Sequence, residues 1–207
     1  PAKSPESPSA WNGTMPSFLY TLRDQRAIAQ TVEKVSLDSR TAQPVTRAET
    51  PLKCMRIHSA SSGELACMTQ IVPQGLPNAG KLSPPMVYIY SADLRILYAH
   101  PATGNTPSRV QMSADGSMVG FTSFTSGTSY ADGAGVNFMT STRVGPADKP
   151  DQTSNLKDWR LLQDGKVLRS PNVQYWGVSF LPQNSNFFYV TVYINDARHI
   201  ARGDVRQ

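Results

Sequence analysis

Apolar residues come in short runs, most of them rich in β-branched or aromatic side chains, and the runs are too brief for long helices. FLYTL (18–22), VEKVSL (32–37), LKCMRI (52–57), ELACMTQIV (64–72), MVYIYS (86–91) and LRILYAH (94–100) read as strands. So do RVQMS (109–113), MVGFTSF (118–124), VNFMTS (136–141), DWRLL (158–162), YWGVSFL (175–181) and FFYVTVYI (187–194). Turn-forming clusters separate them (DSRT, SSG, ADGS, QDGK, PQNSN), so the runs predict consecutive antiparallel hairpins and an all-β fold. RDQRAIAQ (23–30) is too short to change that class. In FFYVTVYI the alternation puts Phe188, Val190 and Val192 on one face and Phe187, Tyr189, Thr191 and Tyr193 on the other.

Three segments share a register: SASSGELACMTQ (59–70), SADGSMVGFTSF (113–124) and SFLPQNSNFFYVTV (179–192) each show Ser, a tight polar turn and an apolar strand. Their spacing of roughly 50 to 65 residues suits a repeated unit of several strands. SADGSMVGFTS resembles the Ser-Pro-Asp-Gly-x-x-Ile-Ala-Phe-x-Ser signature of the TolB-like β-propeller repeat, with Ala114 in place of Pro, and VEKVSLDSRTAQPVTR resembles the outer strands of such a blade. The resemblance covers residues 30 to 205. It implies four-stranded antiparallel blades, approximately 17–50 (partial), 51–100, 108–170 and 173–207 (partial), preceded by a flexible Pro/Ser-rich lead-in over 1–16. Propellers of this kind generally close with more blades than these, so the chain is expected to be part of a larger ring, completed by a missing segment or a second chain. ARHIARGDVRQ (197–207) is read as ending where a further strand would begin. Two longer connections, PQGLPNAGKLSPP (73–85) and TRVGPADKPDQTSN (142–155), are expected as loops on one rim and are the candidate binding loops by position.

Composition adds limits. The 20 Lys and Arg exceed the 15 Asp and Glu by five, but Arg23, Arg26, Arg40, Arg47, Arg56, Arg95, Arg109, Arg143, Arg160 and Arg169 are scattered singly, unlike a nucleic-acid footprint. No nucleic-acid partner is expected. No apolar run approaches membrane-spanning length, so no membrane insertion is expected either. A start at Pro1 without a leader fits an exported chain whose signal has been removed, or a trimmed one. Of the two cysteines, Cys54 and Cys67, a hairpin over 52–70 would stand each opposite the other on adjacent strands, within disulfide reach; a pair of buried free thiols is the alternative.

Candidate chemistry is sparse. No nucleophile elbow occurs, the Ser154–Lys157 spacing lacks companion motifs, and GAG at 133–135 lacks a third glycine. His58, His100 and His199 show no metal-ligand spacing and do not hold matching places in the repeat. Asp132, Asp148 and Asp151 could hold calcium on a rim, but loop solubility explains them as well. Arg202-Gly203-Asp204 matches an integrin tripeptide and Asn12-Gly13-Thr14 a glycosylation sequon, both short enough to arise by chance. Trp11, Trp159, Tyr175, Trp176, Phe187, Phe188 and Tyr189 are aromatic beyond what packing requires, although most fit a core. The expectation is a non-catalytic periplasmic or secreted propeller module that binds a protein or peptide and needs no cofactor. The alternative is the propeller part of an enzyme, either polysaccharide lyase-like or the gating domain of a prolyl oligopeptidase-type peptidase.

Overall fold

The computed structural model describes residues 18–23, 29–38, 40–41, 43–128, 130 and 138–206. The lead-in, Trp11, the 12–14 sequon, Asp132, the 133–135 glycines and most of the 23–30 segment lie outside the described residues. The described chain is all-β. β1 (Phe18–Arg23), β2 (Gln30–Leu37) and β3 (Pro44–Cys54) form a three-stranded sheet, and β4 (Arg56–Ser59), β5 (Leu65–Ile71), β6 (Leu82–Tyr90) and β7 (Ile96–Pro101) a four-stranded one. β8 (Thr106–Met112), β9 (Met118–Ser126), β10 (Met139–Pro146) and β11 (Ser154–Asn155) form the next sheet of four. A small hairpin, β12 (Leu161–Gln163) with β13 (Lys166–Leu168), precedes the last sheet of three, β14 (Gln174–Leu181), β15 (Asn184–Ile194) and β16 (Ala197–Asp204). All pairings are antiparallel between sequence neighbours.

The sheets stack face to face in chain order because alternate side chains of each middle strand point to different neighbours. On β5, Leu65 and Cys67 pack with Tyr20, Val32 and Leu52 of the first sheet, whereas Ala66 and Met68 pack with Met112, Val119 and Phe121 of the third. Met118 and Val144 then face Val178, Phe188, Val190 and Val192 of the last. Strands covered on both faces tolerate no polar alternation, which is why MVYIY and MVGF are continuously apolar. The first strands β4, β8 and β14 lie side by side.

Several expectations are corrected. LKCMRI is not one strand: the chain turns between sheets at Met55, whose N–H donates to the Met68 carbonyl at 2.8 Å. The Cys54–Cys67 disulfide therefore exists, with Cα atoms 5.5 Å apart, but it ties the first sheet to the second. It does not cross one hairpin, since the residue opposite Cys67 on β4 is Ile57. Residues 197–204 form β16, paired along its length with β15, a strand absent from the sequence reading. β16 goes unread in the sequence and β3 is read only in part, because most of their residues are exposed and no apolar run marks them. Of FFYVTVYI, the Phe188 face is buried, while the other face is left partly open, with Tyr189 47% exposed.

Candidate functional site

In an up-and-down meander, the connection after the first strand and that after the third lie at one end, and the connection after the second at the other. The two candidate loops therefore cannot share a rim: residues 72–81 follow the second strand of their sheet, while 147–153 follow the third of theirs. Residues 142–146 are moreover part of β10 and 82–85 part of β6. The 147–153 connection is built into the fold. The His100 ring donates from Nε2 to the Ala147 carbonyl at 2.8 Å, and Arg143 Nε donates to Thr153 Oγ1 at 3.2 Å.

The end that carries the three serine turns closes on itself. Ser113 Oγ and Ser117 Oγ donate to Asp115 Oδ1 at 2.6 and 2.8 Å, and Ser113 Oγ accepts from the Met118 N–H at 2.9 Å. Gly116 holds φ at +75°, where a side chain is strained, and a Cβ there would stand 2.7 Å from Ser62 Oγ of the preceding turn. That preceding turn donates its Ser61 and Ser62 N–H groups to the Ala114 carbonyl. Burial is the largest single influence on the Asp115 carboxyl and pushes its pKa up, but hydrogen bonds from Ser113, from Ser185 of the third turn and from Ser117 outweigh it and hold the group well below the usual carboxylate range. The shared Ser-turn element thus places three turns in mutual contact.

At the opposite end, aromatic rings gather beneath arginines. Tyr130, from the β9–β10 connection, stacks on Trp176 at 4.9 Å between centroids and tilts against Phe124 at 4.7 Å, with Phe138 edge-on at 5.3 Å. Its hydroxyl is hydrogen-bonded to Ser108 Oγ, and burial pushes the phenol pKa up. Arg56 donates from Nε to the Ser108 carbonyl and from Nη1 to the Met55 carbonyl, each at 2.7 Å. Arg109 lies 5.8 Å from the Tyr130 ring centroid. Arg198 donates to the Tyr130 carbonyl at 2.7 Å. Burial first, and the Arg109 charge second, lower the Arg56 pKa. Among the described residues, neither Arg56 nor Arg109 has a carboxylate within salt-bridge distance.

The remaining sequence candidates are dispersed. His58, on β4 two residues beyond Arg56, accepts the Met112 N–H at its Nδ1 at 3.1 Å; His100 is fully buried on β7; His199 pairs with Val192 on β16. Burial lowers the pKa of His58 and His100 alike. Among the described residues no group of three His, Cys, Asp or Glu could hold a metal ion. Ser154 accepts from the Trp159 indole at 2.9 Å, while Lys157 donates to Gln174 at 3.1 Å, so their spacing builds two separate contacts. Arg202-Gly203-Asp204 lies in β16 with Arg202 over Phe187 and Asp204 bound to Arg206. Asp148 and Asp151 are exposed beside a single 3₁₀ turn. An open groove lies between the β12–β13 hairpin and β16, lined by Leu162, Val167 and Ile200. Of the expected aromatics, Trp159, Tyr175 and Phe188 are part of the packing between the last two sheets, and Trp176 anchors the ring cluster.

The sequence reading missed Tyr130 and placed Arg56 and Arg109 among singly scattered charges. No local pattern could have joined them, because β4 and β8 become neighbours only when successive sheets stack.

No family model and no curated protein matches the chain. Among solved structures it is similar to a chain of Kuenenia stuttgartiensis hydrazine synthase, at 12% identity and a TM-score of 0.43. The match covers 85% of this chain and spans 61% of that one.

Proposed function

We propose that this chain is a set of TolB-like propeller blades acting outside the cytoplasm as a non-catalytic module that binds a peptide or protein at its arginine–aromatic end. Supporting the architecture are two four-stranded meanders, first strands side by side and serine turns in contact at one end. The disulfide fits an oxidising compartment, periplasmic or extracellular. The outward face of β14–β16, with Tyr189 and Ile200 exposed, is the side on which a further blade from another segment or chain would stack.

One observation carries the binding assignment: the Arg109 guanidinium lies beside a packed aromatic cluster, with Arg56 held on the neighbouring Ser108 and no matching acid among the described residues, a composition enriched where partners dock. The test is selection from a displayed random-peptide library against the folded chain, followed by amide chemical-shift mapping of the enriched peptides. Shifts centred on residues 56, 109, 176 and 198 are expected. Shifts confined to the β12–β13 groove, or no enrichment, would overturn the reading.

A further inference from the structure

We propose that Arg56 and Arg109 together bind a carboxylate, and that the peptide taken at this end is therefore acidic; the peptide part of this assignment rests on the binding-module reading. The carboxylate part rests on where the two guanidiniums sit: Arg56 on the Ser108 carbonyl, and Arg109, the next residue along β8, beside the Tyr130 ring.

Arg56 is held in place before any ligand arrives. Its Nε and Nη1 are fixed by two backbone carbonyls, so the plane of the guanidinium is set and Nη2 remains uncommitted. Arg109 makes no hydrogen bond to another described residue and keeps its whole fork of donors, with only the Tyr130 ring beside it. A fork from one arginine and a single donor from the other suit the two oxygens of one carboxylate.

The alternative, that the pair serves only the fold, meets a physical objection. Arg56 on β4 and Arg109 on β8 are like charges that repel one another, and the first sheet shows how the fold relieves such repulsion. On the first sheet, the Glu33 carboxylate sits between Arg23 at 3.3 Å and Arg47 at 3.5 Å, and Glu49 adds a second acid at 2.5 Å from Arg23. Nothing among the described residues plays that part for Arg56 and Arg109. A bound carboxylate would.

Arg198 adds a third guanidinium beside Tyr130, tied to that residue's carbonyl at 2.7 Å. The planar fork of Arg109 beside apolar rings matches a planar carboxylate, and the phosphate arm below tests it against a tetrahedral anion.

The experiment uses the full chain and reads the arginine Nε–H resonances. Titrated acetate should shift those of Arg56 and Arg109 saturably, and Arg109→Gln, on the exposed side, should abolish the response with the rest of the spectrum unchanged. An equal response to chloride at matched ionic strength would overturn the site. Inorganic phosphate displacing acetate at about tenfold lower concentration would overturn the carboxylate assignment. In the second arm, each selected peptide is remade with Glu and Asp changed to Gln and Asn, and with its C-terminus free or amidated, to distinguish a side-chain from a terminal carboxylate. A loss of about tenfold or more for one of these changes is expected, matched by Arg109→Gln. Peptides that bind equally in every form would refute this proposal and leave the module reading standing. An acetate response with no selectable peptide would refute the module reading and leave the carboxylate site.

Discussion

The two ends of the stacked sheets are built from similar strands and handle their polar groups in opposite ways. At the serine-turn end, hydroxyls, amides and the Asp115 carboxylate are turned on one another, and each turn is seated against the next. At the other end the rings of Tyr130, Trp176, Phe124 and Phe138 pack on one another, yet Arg56 and Arg109 share one region with no acid among the described residues to balance them. Stability needs satisfied polar groups. Recognition needs uncommitted ones held in fixed positions. The difference predicts that changes at the first end act on stability, and changes at the second act on binding.

Both ends hang on the contacts between sheets, so the largest effect lies there. Replacing Cys54 and Cys67 by Ala removes the covalent tie between the first and second sheets, which encloses a sequence separation of 13 residues. A loss of roughly 2–4 kcal/mol is expected in denaturant unfolding, with the arginine end unaltered in the native spectrum. Loss of the Arg109 environment on reduction would break the comparison, since it would make that end dependent on the tie rather than on its own ring packing.

Gly120 tests the next contact. The TolB-like signature has Ala at this place, and here a Cβ would stand 2.6 Å from Val178 on the last sheet. Gly120→Ala should therefore cost about 1–3 kcal/mol by overpacking, read as a lower midpoint at unchanged denaturant slope. A neutral result would mean that the third and fourth sheets separate easily.

How much of this was legible follows from what each feature depends on. Period-2 patterning and turn residues mark the all-β class and most strands, because burial on both faces writes itself into consecutive apolar residues such as those of β6 and β9. β3 and β16 are exposed along most of their length, and their apolar residues are interspersed with polar ones, so they leave no such run. The strand break at Met55 depends on sheet stacking, so the cysteines could be paired from the sequence but not placed on their sheets. The loop assignment failed on parity: which end a loop occupies depends on how many strands precede it in its sheet, two for 72–81 and three for 147–153. The arginine pair depends on the contact of β4 with β8, which no residue near either position encodes.

Asp115 separates the ends more finely. Asp115→Ala should cost about 1–2 kcal/mol, because it strips the acceptor from Ser113 and Ser117 inside a turn lattice. The wild-type carboxyl has its folded pKa depressed below the ordinary 3.8, so the fold binds its proton later than the unfolded chain does. Its contribution is therefore complete above about pH 4 and drains away as pH falls below that value. The variant should lack this portion of the acid dependence in a pH series of unfolding midpoints. An unchanged acid limb would show that the carboxylate does not hold the turns.

The smallest expected effect on stability is also the sharpest test. Arg109→Gln removes a cation that has no acid partner among the described residues and a like charge nearby, so unfolding free energy should stay within about 0.5 kcal/mol of the parent, with any change a gain. Arg23→Gln on the first sheet is the matched control. It also removes one exposed guanidinium, but one bound by Glu33 and Glu49, and a loss of up to about 1 kcal/mol is expected from it. The prediction is thus a difference in sign between two arginines of similar setting on strand edges. If Arg109→Gln destabilises as much as Arg23→Gln, then Arg109 is a structural residue with an acid partner of its own, and the two ends of the molecule do not differ in kind. If it is neutral or stabilising, the fold does not depend on this guanidinium, as the binding assignment requires.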